Sequence, residues 1–214
     1  MNILLTGFEP FGGEAINPSW EVAQRLDGPL APGVRVVSRC LPCAFRPSIA
    51  ALDEALRETR PAIVLALGLA RGRAELSLER VAVNLIDARI ADNSGAQPID
   101  EPVVADGPAA YFSTLPLKPM LAGLRAAGHP AGLSYTAGSY VCNTVFYALQ
   151  HALAGQGLRS GFMHVPCLPE QAAREPAPSM ALGEMIDGVR LALVLALESR
   201  ETATDVRFSA GTIA

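Results

Sequence analysis

Along this chain, short apolar runs alternate with stretches in which apolar residues return every third or fourth position. The runs at Ile3–Thr6, Val34–Cys40, Ile63–Leu67, Leu76–Leu85, Leu133–Thr136 and Phe162–Val165 predict strands. The wider spacing predicts helices over Ser19–Leu26, Pro47–Glu58, Met120–Ala127, Tyr140–Leu153 and Ser179–Glu198. Strand and helix in alternation imply an α/β fold, an open, mostly parallel twisted sheet with helices on both faces (an α/β/α sandwich). With no internal repeat or low-complexity linker, residues 1–214 are expected to form a single domain. The last helix carries Leu191, Leu193, Val194, Leu195 and Leu197, apolar nearly all round, so it needs cover from its own domain or from another subunit. Two proline-rich stretches, Asp87–Pro119 and Pro166–Pro178, interrupt the pattern, and loops of that length are usually functional or cover an interface.

Composition narrows the function. Half of the 214 residues are hydrophobic and 18% are charged, enough to bury a sizeable core. The net charge of −4 and the lack of any long Lys/Arg run argue against nucleic acid, whose phosphates demand a clustered basic face. Leu191–Leu197, the most apolar stretch, is too short to cross a bilayer and follows Asp187 and Arg190. Met1 leads straight into a strand with no basic leader, so a soluble, cytoplasmic protein with no membrane partner is expected. The four cysteines, at positions 40, 43, 142 and 167, read as thiols rather than a disulfide framework. Cys40 and Cys43 have C-x-x-C spacing, but zinc would need further ligands from Cys142, His164 or Cys167. Spacing alone is weak, and no metal is expected.

One stretch raises a sharper question. Thr6-Gly-Phe-Glu-Pro-Phe-Gly-Gly-Glu14 follows the first strand and has the glycine spacing of a phosphate loop between Gly7 and Gly12. Gly13 and Glu14 stand where that motif needs Lys and Ser/Thr, and Glu9 would repel an anion. Instead the loop offers two aromatics, Phe8 and Phe11, at the strand edge where open sheets bind ligands.

The reactive groups at that edge can be narrowed by position. Residues 136–146 run from a strand through Gly138 into a helix, with Cys142 in its first turn. Unpaired N–H groups there favour a thiolate and can stabilise an oxyanion; a small buried hydrophobe is the alternative. Of three histidines, His151 lies nine residues along the same helix and faces away. His129, in the turn entering a strand, is expected at the opposite edge. His164, ending the strand after the Cys142 helix, is the one imidazole left to pair with Cys142. A third group should orient it, and Glu9, Glu14 and Glu79 are candidates. The alternation of Leu76 and Leu78 changes phase at Glu79 before Val81, Val83 and Leu85, which predicts a bulge or bend that re-aims a side chain.

At these residues the chain resembles pyroglutamyl peptidase I, the pyrrolidone-carboxylate peptidase family of cysteine peptidases. The segments that carry the resemblance are TGFEPFGGEAINPSWE (Thr6–Glu21), GLARGR (Gly68–Arg73), ERVAVN (Glu79–Asn84), DARIADNSG (Asp87–Gly95), DGPAAYFSTLP (Asp106–Pro116), GSYVCNTVFY (Gly138–Tyr147) and FMHVPCLPEQ (Phe162–Gln171). The resemblance implies an α/β/α fold, a homotetramer, no cofactor, and a triad of nucleophile Cys142, base His164 and orienting Glu79. It implies a substrate with N-terminal pyroglutamate (5-oxoproline), its lactam ring held between Phe8 and Phe11, with Leu69 and Arg89 as further substrate contacts. Asp92 also matches a position near the family's active site. Departures fall at Leu69, where some members carry Gln, at Arg71, where a small residue is common, and at Ser139, where Thr is more usual. Two other readings stay open on the residues alone, a thiol–disulfide oxidoreductase using Cys40 and Cys43, and an oligomeric binding protein that keeps the pocket without the activity.

Overall fold

The computed structural model describes residues 1–199 and 208–211. Chain order is β1 (Asn2–Phe8), α1 (Pro18–Leu26), β2 (Gly28–Ala31), β3 (Val34–Leu41), α2 (Phe45–Thr59), β4 (Ile63–Leu69), β5 (Leu76–Glu79), β6 (Val81–Val83), β7 (Ala110–Phe112), α3 (Leu117–Ala126), β8 (Ala131–Ser134), α4 (Val141–Ala152), β9 (Arg159–Val165), α5 (Pro169–Ala172) and α6 (Leu182–Glu198). Seven strands form one sheet in the order β2-β3-β1-β4-β9-β5-β8, and β6 and β7 form a separate antiparallel pair. β3, β1, β4 and β9 are parallel, as their almost continuous apolar runs require of strands buried on both faces.

Alternation along the strands feeds two cores. Ile3 and Leu5 of β1, Leu76 and Leu78 of β5, and Met163 and Val165 of β9 face the layer of α1, α3 and α6. Leu4 and Phe8, Val64 and Ala66, and Phe162 face the layer of α2 and α4. α6 fits between α1 and α3, burying Met185, Val189, Ala192, Leu193 and Ala196. At Gly7, the backbone of α1 comes so close that a Cβ would lie 2.5 Å from the Ser19 carbonyl oxygen. That glycine lets a helix pack on β1.

Three expectations need correction. Leu76–Leu85 is not one bent strand. The phase change marks a break at Arg80 between β5 in the main sheet and β6 in the small one. The sheet is mostly parallel, as expected, but β5 pairs antiparallel with β9 and carries β8 with it in parallel. β8 therefore starts at the sheet edge where the central strands end, so His129 is not at the opposite edge; it packs beside Gly188 of α6. Pro119 lies inside the first turns of α3, so the irregular stretch beginning at Asp87 ends earlier than Pro119 and encloses β7.

β1 leads through α1 on one face to β3, and β3 leads through α2 on the other face to β4. The chain thus reverses direction across β1, and the crevice at the carboxyl ends of β1 and β4 is where such sheets bind ligands.

Candidate active site

That crevice holds a cavity of about 150 Å³ lined by Phe8, Phe11, Glu14, Ile16, Asn17, Cys43, Leu69, Tyr140, Val141 and Cys142. Its floor comes from strand ends, Phe8 of β1 and Leu69 of β4. Its walls come from the loop after β1 and the first turn of α4. Larger, shallower hollows lie elsewhere, one of them between the ends of α2 and α4, away from the cysteine.

The loop after β1 is built as a rigid strap. Asn17 caps α1 by accepting from the Ser19 N–H at 3.1 Å and donates to the Glu9 carbonyl at 2.9 Å. The Glu9 carboxylate accepts from the Cys43 N–H at 3.0 Å and from Asn93 at 2.7 Å. Asp92, 6% exposed, accepts from the Phe45 N–H at 2.8 Å, which caps α2, and from the backbone of Ser94 and Ala96. Glu9 and Asp92 thus hold backbone rather than orient a catalytic group.

The catalytic side rests on strand register. His164 pairs with Gly68 of β4 on one side and Ser77 of β5 on the other, and Glu79 pairs with Phe162. Because Leu76 and Leu78 face the other core, Ser77 and Glu79 face α4, the same side as Phe162 and His164. Glu79 is fully buried, and its Oε1 meets His164 Nδ1 at 2.7 Å. Cys142 enters from above: a Cβ on Gly68 would sit 2.8 Å from its Sγ and 2.8 Å from the Phe162 ring. Gly68 is the space in the sheet that admits the thiol beside its register partner His164. The structure thus pairs His164 with Glu79 and places the Cys142 sulfur over Gly68, next to His164 in the sheet. Of the other acidic candidates, Glu14 reaches the cavity wall but is engaged by Arg71 at 3.4 Å and Arg174 at 3.6 Å.

Burial governs the charge states. It pushes the Cys142 thiol far above its ordinary range, aided by nearby Cys43 and Glu79 and opposed by Arg73. Of the two readings left open for Cys142, burial favours the neutral thiol over a thiolate at the start of α4. Burial also holds the His164 imidazole below its ordinary value, against the pull of Glu79 and with the help of Arg73. Burial thus favours the uncharged form of both groups. Cys43 is raised to about 12 by burial and the charges of Glu9 and Asp92, and Cys40 to about 11 by burial and Glu9. Neither is poised for thiol–disulfide exchange. Among the described residues no group of three His, Cys, Asp or Glu side chains is placed to hold a metal ion.

Four residues escaped the sequence reading. Asn143, fully buried, exchanges hydrogen bonds with the Val83 N–H at 3.0 Å and C=O at 2.9 Å, clamping the start of α4 to β6. Tyr140 packs on Phe11 and Phe45 with ring centroids 5.4 and 5.1 Å away and donates to the Ala91 carbonyl at 2.9 Å. Gly68 makes the space for the Cys142 thiol, and Arg73 reaches the Glu79 carboxylate at 2.6 Å; a glycine in a buried strand followed five residues later by an arginine was the available signal. Arg89 is exposed and does not line the cavity. His151 pairs with Tyr111 at 2.9 Å, far along α4.

Known proteins match this chain in sequence and in fold. The family model described as pyroglutamyl peptidase matches residues 1–199. A pyrrolidone-carboxylate peptidase of Cupriavidus taiwanensis is 56% identical over 98% of this chain and 97% of its own length. One from Pseudomonas fluorescens is 53% identical over 99% and 98%. The crystal structure of pyroglutamyl peptidase I from Bacillus amyloliquefaciens superposes with a TM-score of 0.89 at 43% identity, covering 91% of this chain and 96% of that one. A mutant pyrrolidone carboxyl peptidase from Pyrococcus furiosus gives 0.90 at 44%, covering 92% and 99%. With the family model running through both halves of the site and full-length relatives more than half identical, this chain belongs to the pyroglutamyl peptidase family of cysteine peptidases.

Proposed function

We propose that the protein removes N-terminal pyroglutamyl residues from peptides through a Cys142–His164–Glu79 triad and a thioester acyl-enzyme. The observation that carries this reading is a single one: the Cys142 thiol opens into a cavity the size of one small ring, while its sulfur lies over Gly68, the register partner of His164. A void of about 150 Å³ is enough for a benzene-sized group. Phe8, Phe11, Leu69 and Tyr140 give that space apolar walls for the lactam methylenes. Glu14 is occupied by its arginines, so no free carboxylate waits for an ammonium, and a lactam has none.

Chemistry follows from the resting charges. Glu79 accepts the Nδ1–H of His164, which leaves Nε2 as the basic nitrogen. Nε2 takes the Cys142 proton as Sγ attacks the pyroglutamyl carbonyl carbon. The new C–S bond forms, the carbonyl becomes an oxyanion, and the first-turn amides of α4, which no side chain caps, face the growing charge. Collapse breaks the C–N bond, and the His164 proton goes to the leaving amine. Water then gives a proton to His164 and attacks the thioester; the second collapse returns that proton to sulfur and releases pyroglutamate. Glu79 supports the imidazolium that appears twice in the cycle. Arg89, on the segment that Tyr140 tethers through Ala91, meets the peptide beyond the ring in this reading.

The same reading makes residues 1–214 one catalytic domain acting in the cytoplasm as a homotetramer, for which the exposed side chains of Ile90, Ile99 and Phe112 are available surface. No helix among the described residues is long and apolar enough to cross a membrane. Release of a chromogenic amine from pyroglutamyl and prolyl amides tests the substrate. A prolyl group carries an ammonium and lacks the lactam carbonyl, and unpaired polar contacts of that kind cost factors of about 10⁴ in kcat/KM. Comparable rates for the two amides would end the pyroglutamyl assignment.

A further inference from the structure

The Glu79 carboxylate has two partners, and one of them belongs to no part of the cycle above. Arg73, in the turn after β4, places Nη1 2.6 Å from Glu79 Oε1, the same oxygen that His164 Nδ1 meets at 2.7 Å. Its Nη2 donates to the Thr136 carbonyl at 3.0 Å, in the loop that leads to α4 and Cys142. Glu79 Oε2 is buried with no partner, so the whole compensation for this carboxylate comes through Oε1. A fully buried carboxylate is costly unless a cation pairs with it, and an imidazolium is the wrong cation for a site whose histidine must begin as a base. Arg73 resolves that conflict by position.

We propose that Arg73 is a positioning residue of this site, whose guanidinium pairs with the carboxylate oxygen that meets His164 and so leaves His164 free to start as the base. The inference rests on the triad reading. The charged and titratable groups facing Glu79 and His164 are Arg73 from the turn after β4, Cys142 from α4 and, beyond it, Cys43 from the loop before α2. With Arg73 present, Glu79 and Arg73 cancel and the imidazole stays neutral. Without that charge, the imidazole beside the carboxylate binds a proton more tightly, because the nearby cation that opposes protonation is gone. A smaller fraction of His164 is then free to act as a base at a given pH. The Thr136 contact gives Arg73 a second task, holding the loop before α4 to the carboxylate.

Arg73→Gln keeps hydrogen-bond donors but removes the charge, and Arg73→Lys keeps the charge but cannot reach both partners. The pH profile of kcat/KM for a pyroglutamyl amide separates charge from geometry. Arg73→Gln should move the acid limb upward by about one pH unit or more, the usual effect of losing a charge this close. Arg73→Lys should leave the limb in place while lowering kcat through the lost Thr136 contact. An Arg73→Gln enzyme that is slower but has an unmoved limb would make Arg73 a structural brace only. A second readout uses the unaltered enzyme: nitrogen NMR of its histidines should find His164 neutral, with the proton on Nδ1, at pH 6.5. An imidazolium at that pH overturns the proposal even if Arg73→Gln does not fold. Alkylation keeps the two levels distinct, since activity loss that tracks labelling of Cys142 upholds the triad whatever happens to Arg73.

Discussion

The two halves of the active site are built by different means. Glu79, His164 and Gly68 sit on neighbouring strands of one sheet, where register alone sets which side chains share a face. Phe11, Glu14 and Tyr140 sit on loops and a helix start, held by scattered contacts such as Glu9 to Cys43 and Asn93, and Tyr140 to Ala91. Strand register fixes atoms to within a fraction of an ångström, which suits proton transfer. Loops let shape vary while the chemistry stays, which suits recognition. Damage to the sheet half should therefore appear in kcat and damage to the loop half in KM. Cys142 belongs to both, since Asn143 locks its helix turn to β6 while its sulfur enters the cavity.

The largest effects belong to the shared point and the sheet half. Cys142→Ser should lower kcat by on the order of 10⁴-fold or more with the fold intact, as for nucleophiles that act as part of a unit; circular dichroism and steady-state rates check this. His164→Ala should cost about 10²–10⁴-fold in kcat, because acylation and deacylation both use the base. Glu79→Gln should also fall on kcat, with KM little changed. Gly68→Ala comes next. Its new methyl group would meet the sulfur and the Phe162 ring at 2.8 Å, so one must move. Displacing a nucleophile by about 1 Å can cost on the order of 10²-fold. A Gly68→Ala enzyme with full kcat would show that the thiol does not depend on that gap.

How much of this was legible in the sequence also divides along the comparison. The edge positions of Cys142 and His164 could be read because apolar runs mark strands and a strand end marks an edge, whereas the residues alone left Glu9, Glu14 and Glu79 open as the third group. The direction of β8 could not be read. Antiparallel pairing of β5 with β9 is a long-range choice that leaves no periodicity behind, and His129 was misplaced for that reason. The break at Arg80 left a trace in the phase of Leu76, Leu78, Val81 and Val83, but the trace does not distinguish a bulge from a change of sheet. Charge state was the least legible. A helix N-terminus is local and visible, whereas the enclosure of Sγ by Gly68 and Phe162 comes from residues 74 and 20 positions away along the chain. Local rules left thiolate and buried thiol open, and packing favours the neutral thiol.

Smaller effects test the loop half. Phe11→Ala should raise KM for a pyroglutamyl amide by roughly 10-fold, the scale of one lost apolar contact surface, with a smaller change in kcat. An equal loss in kcat would mean that the cup positions the scissile bond as well as the ring, and the division of labour would fail. The mildest effect is on pH. His164 takes up a proton less readily when folded than its ordinary value of 6.5, so the acid limb of kcat/KM should lie below pH 6.5. The same sign holds for stability. The buried neutral imidazole contributes fully above about pH 6.5, and the contribution is lost as pH falls through the lower folded value, because the unfolded chain then binds more protons. Thermal melts across that window check it.

The central claim is that one sulfur carries the acyl group while the sheet supplies the base. Acid quenching of the enzyme during turnover of a pyroglutamyl ester, followed by peptide mapping in a mass spectrometer, measures this directly. The account predicts a single pyroglutamyl adduct on Cys142, and an adduct that persists longer in Glu79→Gln, where deacylation slows. An adduct on Cys43, or turnover with no thioester on any cysteine, would contradict it.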